Sequence, residues 1–223
     1  MQQQPGEKCT CKISFTLNEE LRKDVFLYYG LSNYYQNHRR YVKSRDDWQL
    51  YGRKGALSSD CEPFGYRKDD NNVSKPIAPC GAIANSLFND SFLLQWNNTK
   101  TGKLTYVPII NTGIAWATDK NTKFRNPYVL PGENLSWAFR DTIKPPNWQR
   151  NIWYLDNTTS SNNGFENEAL IVWMRTAALP NFRKIYGRIG HNMYDTEASY
   201  KDSLPKGQYI LTVEYSKFNL GSN

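Results

Sequence analysis

The sequence predicts a mainly β fold, an antiparallel sandwich, and three observations carry that reading. Aromatic residues make up 14% of the 223 residues, with 15 Tyr, 10 Phe and 7 Trp, and such side chains favour strands over helices. Short apolar segments recur along the chain, separated by intervals rich in Gly, Asn, Asp and Ser, as in all-β domains. The strand–helix–strand rhythm of a parallel sheet is absent.

The elements follow in order. Ile13–Leu17 alternates apolar and polar residues and reads as a half-buried strand. After the polar connection Asn18–Asp24, Val25–Leu31 reads as a second, aromatic-rich strand. Asn33–Arg45 mixes aromatic and basic residues without a period, and Leu50–Lys75 has the composition of a surface loop. Pro76 and Pro79 hold the next approach extended, because proline disfavours helix in the residue before it. Beyond Gly81 the spacing of Ile83, Leu87 and Phe88 predicts a short amphipathic helix. Phe92–Trp96 and Leu104–Val107 flank Asn97–Lys103, a hairpin-like interval containing Gly102. Asn151–Leu155 is a further expected strand, and Asn157–Asn163 a polar loop. Leu170–Met174 suits helix or strand; its shortness and nearby Pro180 favour strand. Phe182, Ile185, Tyr186 and Ile189 share one helical face, which predicts a helix over Phe182–Ile189. Tyr209–Tyr215 is a late strand.

The length suits one domain with a substantial core. The expected division is an amino-terminal remnant with a Cys-x-Cys pair over 1–12, a single β-rich ectodomain over 13–215, and a carboxy-terminal tail over 216–223. A low mean hydropathy implies long polar loops. The formal charge of +7 permits anionic partners, and is equally that of an ordinary basic secretory domain. The longest apolar run, Ala169–Met174, has six residues, against the roughly 20 that a membrane helix needs. Yet five N-glycosylation sequons begin at Asn72, Asn89, Asn97, Asn134 and Asn157. Sequons beside cysteine indicate an oxidising, secretory-pathway lumen.

Catalytic chemistry finds little footing. Only two histidines, His38 and His191, are present, and neither lies near a nucleophile motif. Neither GxxxxGK[ST] nor GxGxxG occurs. The adjacent Asp46 and Asp47 would point to opposite faces of a strand, and read instead as partners for Arg39, Arg40 or Lys43. Cys9, Cys11, Cys61 and Cys80 do not have zinc spacing. No catalytic residue, metal or cofactor is therefore expected.

The run Pro76-Ile77-Ala78-Pro79-Cys80-Gly81-Ala82-Ile83-Ala84-Asn85-Ser86-Leu87-Phe88-Asn89-Asp90-Ser91 resembles the hallmark of the cell division control protein 50, or ligand-effect modulator, family. Val25–Asp47 resembles its first signature and Trp173–Lys184 its last, with Gly113-Ile114-Ala115-Trp116 and Lys123-Phe124-Arg125-Asn126-Pro127 between them in family order. The likeness runs from about Cys9 to about Tyr215. It implies a two-sheet, jelly-roll-like β-sandwich with short helices and long loops. It also implies a non-catalytic accessory subunit of a type IV P-type ATPase, a phospholipid flippase, supporting that pump's folding, exit from the endoplasmic reticulum and lipid transport, with phospholipid headgroups as further contacts. The alternative is a soluble glycan- or ligand-binding β-sandwich, or an anchorless decoy isoform.

Family members carry a membrane helix on each side of this domain. The resemblance therefore implies a luminal or extracellular ectodomain at the endoplasmic reticulum, Golgi or plasma membrane, without the family's helices. It further implies a Cys61–Cys80 disulfide and N-glycans, with Asn89 the sequon it supports best. Cys9 and Cys11 usually pair with upstream cysteines in the family, and here none precedes them. An internal bridge would span one residue and be strained. The amino end is thus either cut through a disulfide knot or carries free thiols.

Two segments stand as candidate partner interface: Tyr34, Tyr35, Arg39, Arg40 and Lys43 in the first, Phe124 and Arg125 in the second. Arginine and tyrosine are enriched at interface hot spots. An internal network of ion pairs and hydrogen bonds is the other reading of the same residues. Aromatic–arginine runs also hold single-stranded nucleic acid, but a luminal placement argues for no nucleic acid partner. Arg175 and Arg183, inside apolar motifs, are expected to be partly buried and to need carboxylate or carbonyl partners.

Overall fold

A computed structural model describes residues 9–98, 102–191 and 203–215. The expected tail over 216–223, residues 1–8 of the amino-terminal segment and the Thr99 of one sequon lie outside them. The strands are β1 (Cys9–Leu17), β2 (Leu21–Arg22), β3 (Phe26–Leu31), β4 (Tyr66–Lys68), β5 (Ser74–Pro76), β6 (Ser91–Asn98), β7 (Lys103–Val107), β8 (Ile109–Ile110), β9 (Phe182–Ile189), β10 (Ser203–Leu204) and β11 (Gly207–Tyr215). The helices are short: α1 (Arg39–Lys43), α2 (Asp47–Leu50), α3 (Ala82–Asn85), α4 (Ala117–Thr122), α5 (Leu135–Ala138) and α6 (Glu168–Met174). The described residues are thus mainly strands with a few short helices. They form sheets of order β1-β11-β6-β7, β3-β9-β8, β10-β2 and β4-β5.

The described residues fall into two compact units. The first draws on Met1–Leu27, Phe88–Asn111 and Tyr186–Asn223. Its four-stranded sheet is antiparallel, with Leu94 opposite both Leu211 and Val107, and Trp96 opposite both Tyr209 and Thr105. Two-residue alternation puts Leu94, Trp96, Val107 and Tyr209 on one face, where they form a core with Ile189 and Leu204. Phe15 faces Tyr209 across the β1–β11 ladder, and the two rings stack with centroids 5.5 Å apart. The alternating segments of the sequence therefore became the strands they promised.

The second unit draws on Tyr28–Leu87 and Thr112–Ile185. It holds the six helices and the β4–β5 hairpin. Four expectations need correction. Leu170–Met174 is helical: Asn167 accepts a hydrogen bond from the Leu170 N–H at 2.9 Å and caps α6. Leu170, Ile171, Trp173 and Met174 are all buried, so burial on every side erased the period that separates helix from strand. Phe182–Ile189 is a strand, β9, with Ile189 opposite Ile109. A Cβ at Gly187 would stand 2.5 Å from the Ile109 side chain, so strand pairing at this point needs glycine. Asn151–Leu155 contains a 3-10 turn over Ile152–Tyr154 where a strand was expected. Within the supposed loop Leu50–Lys75 lie the end of α2, a 3-10 turn at Ser59–Cys61 and the strand β4.

Candidate interaction surface

Three sequence motifs meet in the second unit, and their polar groups tie them together. Gly81, at the head of α3, has φ 97°, and a Cβ there would lie 2.0 Å from the Ser44 carbonyl oxygen. The Ser44 hydroxyl accepts from the Ala82 N–H at 2.8 Å. Gln49 uses both ends of its amide, donating to the Ile77 carbonyl and accepting from the Cys80 N–H, each at 2.8 Å. Tyr41 and Ser86 share a hydroxyl–hydroxyl bond at 2.8 Å. Gln36, fully buried, accepts from the Ala177 N–H at 3.0 Å. Cys61 and Cys80 are joined by a disulfide beside Ile77, Leu57, Phe64 and Ile143.

Helix α6 is held at both ends. At its start, Glu168 accepts from the Ile114 and Ala115 N–H groups at 2.7 and 2.9 Å and pairs with Lys120 at 2.6 Å. Burial alone would raise its pKa, but these donors hold the carboxyl below its usual value. At its end, the Lys184 ammonium donates to the Val172 and Trp173 carbonyls at 2.9 Å and to that of Arg175. A cation suits the negative end of a helix. Desolvation, with a smaller push from Arg175, lowers the Lys184 pKa to about 7.

The expected interface residues divide between surface and interior. Tyr35 is 57% exposed, and Arg39, Arg40 and Lys43 lie exposed on or beside α1. Tyr34 is half-buried, and its ring meets Tyr41, Trp173 and Phe182 edge-on. Phe124 is only 5% exposed and belongs to the core, whereas Arg125 is exposed and lies over the Tyr51 ring at 5.6 Å. Asp46 and Asp47 do not pair with Arg39, Arg40 or Lys43. Asp46 is buried and caps α2, accepting from the Gln49 and Ser58 N–H groups, while Asp47 pairs with Arg45 at 3.0 Å. Arg175 has a carboxylate partner, Asp119 at 2.8 Å, but is exposed, as is Arg183.

Sequence reasoning missed the most regular feature of this surface. Exposed tryptophans carry guanidinium groups on their faces: Arg53 over Trp48 at 4.2 Å, Arg175 over Trp116 at 4.1 Å, and Arg140 over Trp137 at 5.1 Å. Such stacking holds each pair by cation–π attraction. The short interval from Trp137 to Arg140 was the readable sign: Trp137 lies on α5, and Arg140 follows its end in a turn, where its N–H bonds back to the Trp137 carbonyl at 3.4 Å.

The sequons also separate by exposure. Asn72, Asn134 and Asn157 are exposed, while Asn89 and Asn97 are half-buried. Cys9 and Cys11 are free, exposed thiols on β1. Among the described residues, no three of His, Cys, Asp and Glu gather as a metal site, and no helix is long and apolar enough to cross a membrane.

Comparison with known proteins identifies the family. The profile of the LEM3 (ligand-effect modulator 3) family / CDC50 family matches residues 1–222. Cell cycle control protein 50A of Mus musculus is 53% identical over 213 residues, covering 93% of this chain and 55% of the relative. Cell cycle control protein 50B of Homo sapiens is 46% identical over 211 residues, covering 93% and 57%. Putative ALA-interacting subunit 4 of Arabidopsis thaliana is 37% identical over 211 residues, covering 94% and 53%. The chain thus spans a little over half the length of these curated relatives. With the profile matched almost from end to end, it belongs to the LEM3/CDC50 family.

Proposed function

We propose that this domain is the luminal part of a non-catalytic accessory subunit of a phospholipid flippase. It docks on the catalytic type IV P-type ATPase, aids that pump's folding and exit from the endoplasmic reticulum, and supports its lipid transport. The single observation behind the reading is family membership over nearly the whole chain. The name of the plant relative, an interacting subunit, is in keeping with it. A single β-rich ectodomain over 13–215, two-sheet and jelly-roll-like, belongs to the same proposal, as do glycans on the five sequons.

The docking surface we assign includes Tyr35, Arg39, Arg40, Lys43 and Arg125, which are exposed where their aromatic and cationic tips can meet a partner. The test places the domain between membrane helices and asks whether a flippase catalytic subunit co-purifies with it. Arg39→Ala/Arg40→Ala should weaken that association while leaving the melting temperature unchanged. Undiminished association and lipid transport in this folded variant would move the interface elsewhere.

A further inference from the structure

A cavity of about 150 Å³ opens in the second unit, between the α2 region and α5. Its inner wall is Ala78, Pro127, Ala138, Phe139 and Phe165, all buried. The polar groups that reach it are already satisfied. Both ends of the Gln49 amide are used, and the Thr142 hydroxyl donates to the Phe139 carbonyl at 2.7 Å. A space of this size with apolar, self-satisfied walls holds entering water poorly and accepts a ring-sized apolar group in its place. It is too small for a free ligand of drug size, whose pockets run from about 300 Å³ upward.

The mouth has a different character. Arg53, Lys54 and Gly55 line it and are exposed. Asp141 also lines it, but already faces Arg140 at 3.5 Å. Arg53 lies over the Trp48 ring, and neither Arg53 nor Lys54 forms an ion pair with a carboxylate of the described residues. Two unmatched cations at the entrance of an apolar, ring-sized hollow favour an occupant that is apolar at its tip and acidic beside it. Pockets that enclose one apolar side chain within a polar rim are how protein interfaces concentrate their affinity.

We infer that this cavity is an anchor socket, taking one ring-sized apolar side chain from an acidic segment of a partner protein. The inference rests on the accessory-subunit reading for its partner being a protein, and it adds where and by what chemistry that partner is gripped.

Two arms test it separately. In the first, the purified chain is titrated with the peptides Ac-Asp-Phe-Asp-NH2, Ac-Asp-Ala-Asp-NH2 and Ac-Lys-Phe-Lys-NH2, following backbone amide resonances of Ala138, Phe139 and Phe165. The acidic phenylalanine peptide should shift them, and the other two should bind at least about tenfold more weakly. Gly55→Trp supplies a plug: a Cβ at this position meets no atom within 4 Å, so the new ring should fill the mouth without disturbing the fold and abolish the shifts. Ala138→Leu fills the same space from inside and should do likewise. Arg53→Glu/Lys54→Glu should reverse the preference toward the lysine peptide. Equal binding of the alanine peptide, or full binding by plugged protein with an unchanged melting temperature, overturns the socket.

In the second arm, wild type and Gly55→Trp, each placed between membrane helices, are compared for co-purification with the catalytic subunit. Loss in the plugged protein alone supports the socket. Retention in both overturns it and leaves the accessory reading intact. Failure of the wild type refutes the accessory reading, and the peptide arm then decides the socket by itself.

Discussion

The Trp173 indole donates its N–H to the Ile83 carbonyl at 2.7 Å, joining α6 to α3 deep in the second unit. The two residues stand 90 positions apart in the chain, so the bond fastens the last signature motif to the central one. Trp173→Phe keeps most of the packing but removes the shorter of that carbonyl's two side-chain bonds, leaving the one from the Ser86 hydroxyl at 3.1 Å. Losing one such hydrogen bond costs about 0.5–1.5 kcal/mol. Urea unfolding should show a loss in that range, and a loss under about 0.5 kcal/mol would mean that water replaces the indole.

Gly81 is the tightest point between the same segments. An alanine would bring a Cβ to 2.0 Å from the Ser44 carbonyl and hold φ near 97°. Strained backbone of this kind costs about 1–3 kcal/mol before the clash is relieved. Gly81→Ala should therefore destabilise the domain by about 3 kcal/mol or more, seen as a shifted denaturation midpoint. Wild-type stability would show that Ser44 and α1 yield at little cost.

Lys184 gives the domain an alkaline-side signature. Its pKa falls to about 7 in the fold, against 10.5 for the free side chain. Between those values the unfolded chain holds more protons than the folded one, so stability rises with pH across that window. Below pH 7 both forms are charged and the effect is spent. Lys184→Met should flatten the rise between pH 7 and 9.5, measured by chemical unfolding at a series of pH values. An unchanged slope in the variant would assign the dependence to other groups.

Glu168 works on the acid side. Its pKa is held below the usual value, so it contributes stability that is complete above the unfolded value of 4.5 and lost as pH falls through the depressed one. Glu168→Ala leaves the Ile114 and Ala115 N–H groups and Lys120 without their acceptor. The expected loss is about 3 kcal/mol at pH 7, since two backbone N–H groups lose a charged acceptor and each such group left unmet costs about 1–3 kcal/mol. That difference should shrink toward pH 3. A difference that stays constant down to pH 3 would make the loss one of packing.

The Cys61–Cys80 disulfide closes a loop with a sequence separation of 19. Constraining a loop of that size is worth roughly 3 kcal/mol. Cys61→Ser/Cys80→Ser should lose an amount of this order, and Cys9 and Cys11, both exposed, should alkylate in the folded wild type while Cys61 and Cys80 do not. Four reactive thiols in native protein from an oxidising compartment would contradict the bridge.

The first unit was legible in the sequence because its strands have one buried face. In β6 the polar Gln95 and Asn97 alternate with buried Leu94 and Trp96, and that alternation is the period-two signal itself. The second unit is harder to read because its helices are shorter than two turns or buried on all sides. In α6 the informative residue was Asn167, whose cap is a local signal independent of periodicity. The misreading of β9 has a different cause. Lys184 spends a charged residue on the buried face to satisfy the end of α6, which breaks the alternation that would have announced a strand. Tyr34 and Phe124 were placed at the surface by the company they keep in sequence; the fold turned their rings inward and left the adjoining cations outside. The anchor cavity had no sequence signal, since its walls come from five separate stretches of chain.

The guanidinium groups on the exposed tryptophans give the protein a built-in optical label. Trp48 and Trp116 are 64% and 63% exposed beneath positive charge, whereas Trp96, Trp148 and Trp173 are buried. Iodide should gather at the first pair and caesium should avoid it, because local charge concentrates counter-ions. Quenching of native fluorescence by the two ions should therefore differ in extent, and the gap should close as rising salt screens the arginines. A partner that covers Trp48 would remove its share of the iodide-sensitive light while the blue-shifted emission of the core stayed constant. Docking and unfolding would then report at different wavelengths in one unlabelled sample.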